Sequence, residues 1–175
     1  MRGKFLVAFV LVFSAECAIL GGMAEREKTY GKSVPVITAS FASKQVSGGE
    51  KNWLVYINAS DPDGDLDQIF CGVEFQAGVE HPYPISITRI KPDQGKNLSG
   101  YLHLGTPEPD RPMNLIFTLQ VRDKAGHFSA PVSFEVNMFD QSRKKERVGQ
   151  ESPPPGVFQD KDLGPIMIAL TTQVG

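Results

Sequence analysis

The sequence predicts an all-β fold, an antiparallel β-sandwich of about seven strands, and three observations carry that expectation. Short apolar alternations run from Ser33 to Met138, interrupted by turn residues every 8–15 positions. No window of twelve residues keeps a 3.6-residue period, so helix is a minor component at most. The 17 Gly and 13 Pro among 175 residues suit a turn-rich β protein better than a helical bundle.

The strands are expected at about 34–40, 52–60, 66–76, 84–90, 98–104, 113–122 and 129–138. Four of them alternate clearly. Trp53, Val55, Ile57 and Ala59 share one face of the second, and Ile69, Cys71, Val73 and Phe75 one face of the third. Leu115, Phe117, Leu119 and Val121 line the sixth, and Val132, Phe134, Val136 and Met138 the seventh. Since side chains alternate across a strand, these sets should meet between two sheets as one core. Trp53 then reads as a core residue, and Cys71 as a small buried hydrophobe with no His or basic neighbour to activate it.

The flanks differ from this centre. Arg2 and Lys4 precede the unbroken apolar run Phe5–Phe13, which fits a secretory signal and is too short to span a bilayer alone. The small-residue site Gly22-Met23-Ala24 sets a signal peptide of residues 1–24 and makes Glu25 the new N-terminus. A retained anchor and a lipidated Cys17 are the alternatives; Glu16 stands where a lipoprotein has a small residue. After cleavage only Cys71 remains, so no internal disulfide can form and no stable membrane insertion is expected. Polar residues 25–32 read as a flexible lead-in to a sandwich spanning 33–139. Residues 140–157, with the charge cluster Arg143–Arg147 and the run Pro153-Pro-Pro155, read as a linker. Residues 158–175 form a tail with a short apolar stretch, Ile166–Leu170. The tail is expected to cover an outward patch of Phe70 and Ile116 or to pair with an edge strand.

Charge and motifs exclude several functions. With 18 basic and 20 acidic residues the net charge is −2, which supplies no field to gather phosphates, so no nucleic-acid partner is expected. The chain has no Gly-x-Ser-x-Gly, His-Glu-x-x-His, phosphate loop or Cys-x-x-Cys. His81, His103 and His127 fall on separate elements. The expectation is a protein that is not an enzyme.

One segment carries candidate ligands. Asp61-Pro-Asp63-Gly-Asp65-Leu-Asp67 places carboxylates on alternate residues around a glycine. Calcium takes six to eight oxygens, and alternate Asp residues with a Gly for the turn are one way to supply several. Loops after the second, fourth and sixth strands share one end of a sandwich, which would bring Asp123, and also Asp93, towards Asp61 and Asp63. Asp61, Asp63, Asp65 and Asp123 are therefore the metal candidates. The cofactor expectation is either none or a weakly bound Ca²⁺, with affinity of about 10⁻⁴–10⁻³ M as in extracellular modules. The competing reading is turn chemistry alone, because Asp caps nearby N–H groups and Gly accepts positive φ.

Two junctions resemble a known family. Ala59-Ser-Asp-Pro-Asp-Gly-Asp-Leu66 followed by Ile69, Val73 and Phe75 looks like the second-to-third strand junction of bacterial Ig-like domains. Val121-Arg-Asp123-Lys-Ala-Gly-His127-Phe-Ser129 resembles their sixth-to-seventh junction, with His127 where Asn is usual. The resemblance spans about residues 33–138. It implies an immunoglobulin-like sandwich acting as a non-catalytic binding module of the cell envelope or extracellular space, with a protein or glycan partner. The alternative is a structural accessory subunit of a larger envelope or secretion assembly. Either way the protein is expected to be exported: periplasmic, on the cell surface, or secreted.

Overall fold

The computed structural model describes residues 22–47, 53–75, 85–105, 113–139 and 151–168. Nine strands occur among them: β1 (Val36–Ala42), β2 (Gln45–Ser47), β3 (Trp53–Ser60), β4 (Leu66–Phe75), β5 (Ile85–Arg89), β6 (Asn97–Leu104), β7 (Met113–Asp123), β8 (Val132–Phe139) and β9 (Asp162–Pro165). They form an all-β sandwich. One sheet runs β1-β3-β6-β9 and the other β2-β8-β7-β4-β5. The seven expected strands correspond to β1 and β3–β8; β2 and β9 are additional. Both additions pair parallel to their neighbours, β2 to β8 and β9 to β6, whereas the other pairings are antiparallel. Three and four residues long, they fall below the length at which alternation can be read.

The alternation seen in the sequence becomes the core. Trp53, Val55, Ile57 and Ala59 of β3 are buried, as are Ile69, Cys71 and Val73 of β4 and Leu115, Phe117, Leu119 and Val121 of β7. Trp53 packs edge-on to Phe117 at 5.1 Å between ring centres, and its indole N–H donates to the Ser43 carbonyl at 3.0 Å. That bond satisfies the polar atom of a large buried ring. In β8 only the second half of the expected face is buried, Val136 and Met138; Val132 and Phe134 are half-buried.

Of the two flanking segments, the first differs from expectation and the second pairs with an edge strand, one of its two expected placements. Helix runs over residues 22–30, through the expected cleavage site Gly22-Met23-Ala24 and most of the stretch 25–32 read as a flexible lead-in. Glu25 and Lys28 form an i,i+3 pair at 2.9 Å, and Gly31, with φ +104°, ends the helix by donating its N–H to the Glu27 carbonyl at 2.9 Å. Glu27 is its one half-buried residue, so it carries no apolar stripe for a periodicity search to detect. The tail pairs with β6 and sinks Ile166 and Ile168 into the core cluster. It does not cover the expected patch. Phe70 faces Ile87 and Gln120 across its neighbours while Ile116 faces Glu74, so the two lie apart. Phe70 is instead covered edge-on by Phe128 at 5.1 Å. Residues 1–21 with Cys17, the site of His81, and the cluster Arg143–Arg147 lie outside the described residues.

Candidate metal centre

The β4–β7 ladder opens with Leu66 opposite Asp123, which sets Asp65 and Asp123 side by side at one end of the sandwich. Asp61 follows directly on Ser60, the last residue of β3, in the other sheet. Backbone bonds lock these segments together. Asp61 N–H donates to the Lys96 carbonyl at 3.0 Å, Leu66 N–H to Gly95 at 2.9 Å, and Lys124 N–H to Asp65 at 3.0 Å. Gly64, with φ +80°, turns the loop, and Gly95 lies so close that a Cβ there would stand 2.5 Å from the Gly64 carbonyl oxygen.

Asp61, Asp65 and Asp123 are all buried, the first and last only 1% exposed. Each can offer one carboxylate oxygen to a common point, the three oxygens lying within 4.8 Å of one another. Two oxygens bound to one calcium at about 2.4 Å can be no farther apart than about 4.8 Å, so the spacing admits a single ion. The Oδ2 atoms of Asp61 and Asp65 have no hydrogen-bond partner among the described residues. A buried acceptor left unpaired costs about 1–3 kcal/mol, more when charged. The Asp61 carboxyl is accordingly pushed above the usual carboxylate range, first by burial and then by the charges of Asp65 and Asp123, against the opposing bond from Asp63 N–H. The cluster therefore calls for a proton or a cation. Oxygen-only donors on three segments suit a hard divalent ion, which would tie the two sheets together at this end.

Asp123 is the best supported of the three. Its Oδ1 accepts from Gly126 N–H at 2.6 Å and His127 N–H at 2.8 Å, and its Oδ2 lies 2.8 Å from His127 Nδ1. The other ring nitrogen of His127 lies 3.3 Å from Glu27 Oε1 on the N-terminal helix. A carboxylate at each nitrogen favours the protonated ring. Its pKa is raised mainly by the Asp123 bond, against the cost of burial and with Glu27 adding to the rise.

Asp63 and Asp93, expected near the same point, are placed elsewhere. Asp63 sits exposed at the loop tip and accepts Ser33 N–H at 2.7 Å, which holds its carboxyl below the usual range. A Cβ on Gly31 would collide with that carboxylate, so the glycine admits the contact that docks the N-terminal segment. Asp93 is exposed on the single 3₁₀ turn Pro92–Gln94 and faces Lys161 Nζ at 3.4 Å. The loop that bears it meets the acidic segment through the carbonyls of Gly95 and Lys96. Glu27 and His127 were missed as partners of the cluster. A histidine four residues after Asp123 in a Gly-containing turn was the local signal, while Glu27 lies 100 residues away. No family model and no curated protein matches this chain.

Proposed function

We propose that the protein is an exported, non-catalytic interaction module of the cell envelope or extracellular space, with an immunoglobulin-like sandwich fastened at one end by a weakly bound calcium ion. The observation that carries the ion is the pair of buried, unpartnered oxygens on Asp61 and Asp65 beside the carboxylate of Asp123. Asp63 leaves the ligand set because its carboxylate is engaged by the N-terminal segment. The Ig-like reading is supported by the two junctions that resemble that family, which lie together at this end of the sandwich. The apolar stretch before the helix and the near-neutral charge support export and a partner that is protein or glycan rather than nucleic acid.

Calorimetric titration of chelator-stripped protein with calcium chloride tests the site. One binding event saturating in the millimolar range is expected, and it should vanish in Asp61→Asn/Asp65→Asn. No heat at 10 mM calcium (roughly ten times the weakest expected dissociation constant) would remove the ion from this proposal. For export, N-terminal sequencing of chain recovered outside the cytoplasm should begin at Glu25; a chain confined to the cytoplasm contradicts it.

A further inference from the structure

A helix as short as residues 22–30 does not hold itself together in water, and only Glu27 in it is even half-buried. The contacts that dock this segment end on the two loops that carry the acidic cluster. Glu27 Oε1 lies 3.3 Å from His127 Nε2, and His127 Nδ1 lies 2.8 Å from Asp123 Oδ2. Lys124 Nζ sits over the Tyr30 ring at 5.8 Å, and Lys124 N–H donates to the Asp65 carbonyl at 3.0 Å. Ser33 N–H donates to Asp63 Oδ2 at 2.7 Å, and Asp63 N–H to Asp61 Oδ1 at 2.9 Å. The segment therefore bridges the loop of Asp61–Asp65 to the loop of Asp123–His127. Through Glu27 and through Ser33 alike, one residue stands between it and a carboxylate of the cluster.

The buried carboxylate at the end of the first tether is nearly saturated. Asp123 Oδ1 accepts from Gly126 and His127 N–H, and Oδ2 faces His127 Nδ1. A carboxylate has about four acceptor sites, so one is left, on Oδ2, and the His127 ring fixes where it points. We propose that the N-terminal segment is a latch on the ion site: Glu27 is a positioning residue that, through His127, holds Asp123 ready for the ion, and ion binding in return fixes residues 25–33 against the sandwich. This inference rests on the calcium reading above. Two effects compete for its sign. Arg26, Lys28 and Lys32 repel a cation, but all three are exposed and salt screens them. The tethers act on buried carboxylates, whose positions an ion needs fixed, so docking and binding favour each other. Every tether lies beyond Ala24, so the latch survives cleavage there.

The Gly31 N–H, bonded to the Glu27 carbonyl at 2.9 Å, reports whether the segment is docked, because the helix does not persist when it is free. Full-length, chelator-stripped protein is titrated with calcium chloride by calorimetry, and exchange of the Gly31 and Ser33 amides is followed by NMR with and without the ion. Saturating calcium should slow both about fivefold, and Glu27→Ala should weaken calcium binding by the same factor, since coupling is reciprocal. Ala is the better helix former, so a loss of affinity there does not come from a melted helix. Glu27→Gln, which keeps an oxygen for His127, should bind nearly as the wild type does. In Gly31→Ala the new Cβ would collide with the Asp63 carboxylate, which breaks the second tether and should weaken binding likewise. Binding heat with exchange unchanged or faster in calcium overturns the latch and leaves the ion standing. So does a Glu27→Ala variant that binds as tightly as the wild type, or a Glu27→Gln variant as weak as Glu27→Ala. Absence of binding heat in the wild type removes the ion and the latch together.

Discussion

Replacing Asp61 and Asp65 together by Asn separates the two ways in which the buried acidic cluster can be satisfied. Asn keeps the oxygen that accepts Asp63 N–H at 2.9 Å, so the loop turn survives, while two charges are removed. In excess chelator the wild type holds two unpartnered buried oxygens, and relieving them is worth about 1–2 kcal/mol. At about 4 °C per kcal/mol for a domain of this size, the variant should melt roughly 4–8 °C above the wild type. Calcium reverses the comparison. At 2 mM ion and a dissociation constant of about 10⁻⁴–10⁻³ M, binding stabilises the folded wild type by about 0.6–1.8 kcal/mol, or roughly 3–7 °C, and the variant by nothing. The assay is thermal unfolding followed by the emission of Trp53, the single tryptophan, which is 1% exposed and so reports the core. A wild-type midpoint identical in chelator and in 2 mM calcium would refute the ion. A variant melting below the wild type in chelator would refute the charge argument itself.

Acid should act on the ion-free wild type in the sense set by the raised Asp61 carboxyl. A raised folded-state pKa contributes stability that is fully present below the unfolded value and lost as pH rises through the folded one. The chelated protein should therefore melt higher at pH 5 than at pH 7, with a smaller difference in Asp61→Asn/Asp65→Asn. Protonation of His127 adds stability of the same sign, lost as pH rises through its own raised value. Burial pushes the Cys71 thiol up to about 12, so iodoacetamide at pH 8 should leave it unmodified by mass spectrometry until the chain is unfolded. Trp53→Ala should cost about 3–5 kcal/mol in urea unfolding, through the emptied space beside Phe117 and the Ser43 carbonyl left without its donor. Gly126 has φ +109°, and Gly126→Ala should cost about 1–2 kcal/mol and lower the thermal midpoint by loosening the turn that caps Asp123.

Period-two patterning made the centre of the fold legible, because β3, β4 and β7 each bury one face against the other sheet and the residues that do so must alternate. It says nothing about strands such as β2 and β9, whose place depends on an edge being open beside them. The helix over 22–30 escaped for a related reason: it is tied down by single polar contacts, Glu27 to His127 and Ser33 to Asp63, and no apolar spacing records them. The acidic site was half legible. Alternate Asp residues around Gly64 are visible in the sequence, but alternation treats Asp61, Asp63 and Asp65 alike. What distinguishes them is that Asp61 and Asp65 flank the loop where each strand enters its sheet, and so are carried inside, while Asp63 rides the tip into solvent. Asp123 joins them only because the β4–β7 register sets it opposite Leu66. The ladder shifts by one residue between Leu66 and Gln68, so Asp123 meets Leu66 past an extra residue on β4, Asp67, and the charge that assembles the site depends on that local irregularity rather than on the register that pairs Phe117 with Val73 and Leu119 with Cys71.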